Sequence, residues 1–392
     1  MRTLNPVIPL ILLMASLGTA AQPAMDYPSV EAQSISRYLK GDWKGLLTYG
    51  RLALAAGVDH LNLRLRLGYA AFVTGDFANA IAHYEKALGF DSHNETARYH
   101  IHYARRYLGQ HEIATAEAER LPTPLLEGEG LRKPKLTLLG IEGSYKASLV
   151  DIREDPFYGR LTLGYRLSPR LHLQHALSGY TQRIAEPLLT SLPGNTDIGI
   201  AQTGLWNRAA WNLDRHWQAL AAYHYQQNRF GGLVYHNHLL LVGARYHGSR
   251  VTLQGDAVVG RMIDTDLVQA NLTLQAYPLG SQNLYGITTL TLRDNPGAPV
   301  ILRQALGGKV LKDVWLEGHA TFGEFRNFVE GDALYLYNAL DTDRVKAGIG
   351  TYIALPGGRV LQLGYTFEER RLYGRQTTFY QHSFTGGITW RQ

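Results

Sequence analysis

From Lys135 onward, apolar residues fall at every second position. Leu161, Leu163, Tyr165 and Leu167 form one such set; Val268, Ala270, Leu272, Leu274 and Ala276 a second; Leu361, Leu363, Tyr365 and Phe367 a third. A period of two belongs to strands with one apolar face. The intervening positions carry Arg160, Thr162 and Arg166; Gln269, Asn271, Thr273 and Gln275; and Gln362, Thr366, Glu368 and Arg370. That face is too polar for the inside of a sandwich and must meet water. Roughly fourteen segments of about ten residues or more can be counted, the length a tilted strand needs to cross an outer membrane and about twice that of a soluble strand. Short turns are predicted at Ser168 to Arg170, Asn212 to His216, His247 to Arg250, Pro278 to Gln282, Lys312-Asp313 and Pro356 to Arg359. Longer or more polar connections alternate with them, at Asp151 to Phe157, Ile184 to Asp197, Phe230 to Tyr235, Ile263 to Asp266, Asp294 to Pro299, Val329 to Asp343 and Leu372 to Thr378. An even strand number with short turns on one side predicts an antiparallel transmembrane β-barrel over 135–392. Val329 to Asp343 is long enough to serve as a plug.

Residues 22–121 follow another period. Gly41, Gly75 and Gly109 recur every 34 residues, Gly41-Asp42-Trp43 answers Gly75-Asp76-Phe77, and Ala53-Leu54 answers Ala87-Leu88. Such self-similarity is the mark of a helical repeat array. In the central copy, Leu67, Gly68, Gly75, Ala80, Tyr84 and Ala87 resemble the tetratricopeptide repeat at that family's spacings. Gly68 and Ala80 are expected to let two helices approach closely, and Gly75 to turn the chain between them. Ser92 and Glu95 have capping-box spacing ahead of a third helix. Pro122 and Pro124 are expected to close the helical region, with 122–134 as linker. The resemblance implies partner binding on the concave face and packing roles for the motif residues themselves.

Ahead of both units, Met1 and Arg2 precede the apolar run Pro6 to Leu17 and the small residues Gly18 to Ala21, which reads as a cleaved export signal over 1–21. Zero Cys excludes a disulfide scaffold, a thiolate metal site and a lipid-modified N-terminal cysteine, and suits a Gram-negative envelope protein. A net charge of +6 comes without a lysine-arginine cluster dense enough to track nucleic acid. Tyr158, Trp206, Trp217, Tyr223, Tyr246, Tyr277, Trp315, Tyr352, Tyr373 and Trp390 near strand ends are expected to form interfacial girdles. Phe384, Ile388 and Trp390, with Tyr380, share one face of the last strand, which resembles the terminal strand recognised by the barrel-assembly machinery.

If the polar faces line a lumen, its basic residues are Arg160, Arg166, Arg245, Arg303, Lys309, Arg344, Lys346 and Arg370, set against Asp256, Glu317 and Glu368. A net basic wall would concentrate anions; alternatively the charges pair across strands and stiffen the barrel. Enzymatic chemistry is not expected. His175 and Ser178 fall on opposite strand faces, as do His382 and Ser383; His247 and Ser249 share a face but lie at a turn; His236-Asn237-His238 is read as chance. No cofactor or metal is expected.

The layout as a whole, a periplasmic repeat stack joined to an outer-membrane barrel, resembles the exporters of secreted polysaccharides and the surface-lipoprotein translocators. It implies transport or export, the stack docking a periplasmic protein and the barrel passing an anionic polymer or solute. A non-conducting scaffold that recruits a partner to outer-membrane lipid is the rival.

Overall fold

A computed structural model describes residues 25–128, 130–131, 133–185, 197–263, 265–294 and 300–391. The expected export signal lies outside these residues, as does most of the Ile184 to Asp197 and Asp294 to Pro299 connections. The described part of 25–128 is helical: α1 (Tyr27–Leu39), α2 (Trp43–Ala55), α3 (Leu61–Val73), α4 (Phe77–Phe90), α5 (Glu95–Tyr107), the short α6 (His111–Ala114) with a 3-10 turn (Thr115–Arg120), and α7 (Thr123–Gly128).

The repeated Gly-Asp has a local cause. Gly41, Gly75 and Gly109 all take positive φ (67°, 81° and 75°), a left-handed turn that favours glycine. The aspartate that follows, Asp42 or Asp76, caps the next helix by accepting a backbone N–H from Gly45 or Asn79. In the third copy the aspartate is replaced by Gln110, which makes no cap; α6 lasts only four residues. Packing between α3 and α4 is set by Gly68, where an added Cβ would lie 2.9 Å from the ring of Tyr84. Leu67, Ala80, Tyr84 and Ala87 are buried in this core. The cap of α5 is Asn94, accepting from Ala97 N, and not the expected Ser92. Pro124 stands in the first turn of α7, where a missing N–H costs nothing, so the prolines start a helix rather than closing the region.

The remaining chain forms β1 (Lys135–Ser148), β2 (Phe157–Arg166), β3 (Leu171–Ala185), β4 (Asp197–Asn212), β5 (Trp217–Phe230), β6 (Leu233–His247), β7 (Val251–Met262), β8 (Thr265–Ala276), β9 (Leu284–Arg293), β10 (Val300–Leu311), β11 (Val314–Phe325), a small hairpin β12 (Phe328–Glu330) and β13 (Tyr335–Tyr337), then β14 (Thr342–Leu355), β15 (Arg359–Arg371) and β16 (Thr378–Arg391). All but the small hairpin pair in order as a closed antiparallel barrel of fourteen strands, sealed where β1 meets β16 from Leu138–Arg391 to Ser148–Gln381. Closure leaves no open edge, as a sheet in lipid requires. Two of the connections expected to be long are tight: β5 and β6 are joined at Gly231-Gly232, and β7 ends at Met262 with β8 starting at Thr265. Conversely, residues 277–283 between β8 and β9 form a longer loop at the other end, against which the helical unit packs.

Alternate positions divide cleanly. Leu139, Ile141, Leu161, Leu177, Leu205, Val242, Leu272, Leu302, Leu363 and Phe384 are all exposed on the outer surface. Polar partners such as Gln218, Asn228, Gln269 and Gln381 are buried inside. A belt of exposed aliphatic side chains around a closed sheet needs lipid to cover it. The fold is that of an outer-membrane β-barrel.

Candidate functional site

The connection between β11 and β14 does not leave the barrel; it turns inward as the β12–β13 hairpin. Its tip is strained, with positive φ at Gly331 (65°), Asp332 (55°) and Ala333 (63°), and the last two lack glycine's freedom. The surrounding wall holds it there. Trp206 donates to Asp332 O at 2.9 Å, His224 Nδ1 meets Ala333 O at 2.7 Å, and Gln269 clasps both the N–H and the C=O of Val329 at 3.2 and 2.7 Å. Val329 and Ala333 pack into a buried apolar cluster with Trp206, Leu239, Leu241 and Val258, all pointing into the barrel. The hairpin is therefore a plug with a hydrophobic core of its own.

A second stopper enters from the opposite end. The uncapped α6 places Glu112 in the mouth of the barrel, where Arg208 grips it at 2.8 and 3.1 Å and Gln174 donates at 3.0 Å. Gln110, freed from capping, donates to Thr252 at 3.2 Å. Arg105 reaches His247 O at 3.4 Å, Thr115 donates to Pro169 O at 2.5 Å, and Ala78 N donates to Gly280 O at 3.0 Å. Ile81, Ala104 and Leu108 cover Tyr277. The two stoppers meet at one residue: Arg208, which hydrogen-bonds Glu112, is also ion-paired with Asp332, its Nε 2.9 Å from the carboxylate but not aligned for a hydrogen bond. Arg245 adds a second contact to Asp332 at 3.1 Å.

Most of the predicted basic wall is accounted for by pairing. Arg160 bonds Glu142 (3.1 Å) and lies over the ring of Tyr335; Arg303 meets Glu330 (2.7 Å); Lys346 meets Glu330 (3.7 Å) and Tyr337; Arg370 meets Asp343 (2.6 Å). Glu368 is taken by Lys146 (3.0 Å), Asp256 by Asn271 and Gln254, and Glu317 by the Tyr285 hydroxyl. The expected net basic lumen is thus largely neutralised by acids outside the expected set: Glu142, which alternation along β1 turns inward, and three that do not come from the barrel strands, Glu330 and Asp332 on the hairpin and Glu112 on α6.

Two predicted lining residues are elsewhere. A bulge between Asp343 and Val345 turns Arg344 out of the alternation; it is half exposed and pairs with Glu324 and Glu369. Lys309 is exposed at the end of β10, its ammonium 4.8 Å from the centre of the Trp315 ring. Arg166 faces inward and bonds Gly130 O at 2.6 Å.

Between the stoppers and the wall remains a chamber of about 1000 Å³, lined by Thr273, Thr289, Gln275, Arg303, His319 and Tyr352 among others. A smaller void of about 220 Å³ lies on the other side of the hairpin.

Of the expected girdle aromatics, Trp217, Tyr223 and Tyr373 are exposed, whereas Trp206 serves the plug, Tyr277 lies under the helices, and Tyr158 and Tyr352 line interior cavities. His236 and His238 point outward, bonded to Tyr225 and Tyr223 at 2.8 Å each, while Asn237 points inward to Gln226. On the last strand, Phe384 and Ile388 are exposed on the outer face and Trp390 is half-buried. Among the described residues, no group of three or more His, Asp or Glu side chains converges to hold a metal.

No protein-family model matches the chain, and no curated protein matches it. Among solved structures it is similar to a Pseudomonas aeruginosa FadL homologue, with 10% identity and a TM-score of 0.47 over 66% of this chain and 90% of that one. It is also similar to the KdgM porin (6%, 0.33, 64% and 99%) and to the CymD monoaromatic hydrocarbon channel (8%, 0.33, 67% and 90%).

Proposed function

We propose that this protein is an outer-membrane transport or export barrel, held shut at rest, whose helical unit faces the periplasm and docks a partner that opens it. The observation that carries the reading is the meeting of two stoppers on Arg208, one from each end of the barrel. A purely structural barrel of this size needs neither. The short-turn end, where the helices sit, is the periplasmic end by the usual asymmetry of outer-membrane barrels. The helix pairs, with Gly68 against Tyr84, support a tetratricopeptide-type stack whose concave face is the docking surface.

The cargo follows from charge. Glu330 and Asp332 leave with the hairpin, and Arg208, Arg245, Arg303 and Lys346 then lose acidic partners. An open lumen would be basic and favour an anionic solute or polymer. Planar-bilayer recording tests this. The intact protein is expected to show no steps, and a chain that lacks both stoppers, with 22–121 removed and 327–340 replaced by a short turn, is expected to conduct and to prefer chloride to potassium. A silent or cation-preferring deletion variant refutes conduction of anions. A silent one leaves the scaffold reading, which the extensive pairing of lumen charges favours.

A further inference from the structure

The seam of the barrel carries cations that the stoppers do not use. Lys135 opens β1, Arg166 ends β2 directly opposite it in register, and Arg391 ends β16, opposite Leu138. From the helical unit, Arg106 of α5 and His111 of α6 come to the same corner, and all five line the large chamber. Arg106 lies within Coulombic reach of Arg166, both Arg106 and Arg391 approach the uncharged ring of His111, and Arg391 feels Arg208 as a like charge and Glu112 as an opposite one. Mutual repulsion of this kind is unfavourable unless something negative belongs between them.

Among the described residues, no acid is ion-paired with Arg106, Lys135, Arg166 or Arg391. Arg166 spends one N–H on Gly130 O and leaves its Nε buried without an acceptor; the buried Nδ1 of His111 also has none. The side chains of Arg106, Lys135 and Arg391 make no hydrogen bond or ion pair with any described residue, that of Arg106 lying only over the face of Tyr103. Glu112, a described carboxylate within Coulombic reach of His111 and Arg391, is committed to Arg208 and Gln174. This contrasts with the rest of the lumen, where almost every cation has its acid.

We infer that Arg106, Lys135, Arg166 and Arg391, around His111, form a binding site for an oxyanion, a carboxylate or phosphate group, where the helical unit meets the closing strands. The inference gives the transport reading its recognition chemistry and rests on that reading for its role, though not for binding itself. Guanidinium groups grip such oxyanions in paired hydrogen bonds, and lysine adds a point charge. Its position beside α6 also means that an arriving anion would pull on Arg391 and Arg106 next to the stopper.

The test uses the full-length protein in detergent, with inorganic phosphate followed by titration calorimetry. Saturable binding is expected, weakened at least tenfold in the Arg106→Gln/Arg391→Gln double variant and unchanged in Lys309→Gln, whose cation stands apart from the cluster. Absence of saturable binding, or equal loss in Lys309→Gln, overturns the site. If the double variant does not fold, acetylation of Lys135 in the wild-type chain decides: slowing by phosphate supports the site, and an unchanged rate overturns it. Glucuronate and nanodiscs with or without phosphatidylglycerol then compete against phosphate: competition by glucuronate assigns a soluble carboxylate, by the lipid a headgroup, and either supports the site. Because binding is read on the closed protein, its failure is distinguishable from a failure to conduct.

Discussion

At the scale of single residues, Gly68 and His111 make the sharpest demands. A methyl group at Gly68 would sit 2.9 Å from three ring atoms of the fully buried Tyr84, a stiff group that cannot swing aside. Gly68→Ala is therefore expected to destabilise the helical unit by about 1–3 kcal/mol, the usual cost of overpacking, despite alanine's better helix propensity. Urea unfolding followed by far-ultraviolet dichroism checks it; an unchanged midpoint would show that α3 and α4 can separate freely. His111 bears on pH. Burial first, then Arg391 and Arg106, push it down to about 3 from its ordinary 6.5, with His102 adding to the effect and Glu112 opposing it. The unfolded chain takes up a proton below 6.5 while the folded one refuses it until about 3, so folding weakens as pH falls through that window. Glu112 acts in the same direction lower down. Burial alone would raise its pKa, but the Arg208 charge and hydrogen bonds outweigh burial and hold it well below the usual carboxylate range. Its contribution is complete above that range and is lost as pH drops beneath it. Hydrogen exchange of the α6 amides, corrected for intrinsic rate, should show protection falling between pH 7 and pH 4, with the drop near pH 6 flattened in His111→Gln. Constant protection across that range would count against a neutral, buried His111.

At the scale of elements, the outer belt makes a prediction that separates lipid from water. Leu177 lies mid-way along β3 and is 52% exposed. If lipid covers it, Leu177→Arg costs about 2–4 kcal/mol near the bilayer midplane; if water does, the substitution is close to neutral. Unfolding in lipid vesicles decides between them. The strands themselves were legible because lipid and lumen impose strict alternation, and the tight turns because they must be short, polar and rich in glycine or proline. Alternation misleads where an extra residue enters, and the bulge before Val345 is why Arg344 points away from the lumen. It also hides the plug. Leu239, Leu240, Leu241 and Val242 run apolar without a break, Leu239 and Leu241 buried inward, Leu240 and Val242 facing out. A strand apolar on both faces is covered on both faces, and that run was the available sign that something apolar fills the lumen. Nothing local marks Glu112 as a stopper, because it sits in an ordinary helical pattern. The hint was the third repeat copy, in which Gln110 breaks the Gly-Asp rule that Gly41-Asp42 and Gly75-Asp76 obey.

For the whole molecule, the question is whether the two stoppers move independently. Glu112 arrives on the helical unit and Asp332 on the hairpin, both rely on the guanidinium of Arg208, and the two carboxylates lie within Coulombic reach of each other as like charges, so a change at one is felt at the other. Removing one partner from such a buried arrangement typically costs about 3–5 kcal/mol, because the remaining charges are left unpaired. Arg208→Gln leaves Glu112 with Gln174, and Asp332 with Arg245 and Gln254. The strain at Asp332 and Ala333 then acts against a weaker hold. Since the chain has no cysteine, Ala333→Cys places a unique thiol at the buried tip of the hairpin. In that background a membrane-impermeant maleimide should label the parent protein slowly. Adding Arg208→Gln is expected to raise the labelling rate at least tenfold, since about 1.4 kcal/mol of lost hold suffices for that factor. The decisive arm is Glu112→Gln, which alters only the helical side. If hairpin and helix are coupled through Arg208, this variant must slow labelling of a thiol it does not touch, because it removes the like charge facing Asp332 and leaves Arg208 to that carboxylate alone. If it leaves the rate unchanged while Arg208→Gln raises it, the plug answers to the wall alone and a partner on the helical unit cannot act on the hairpin by this route.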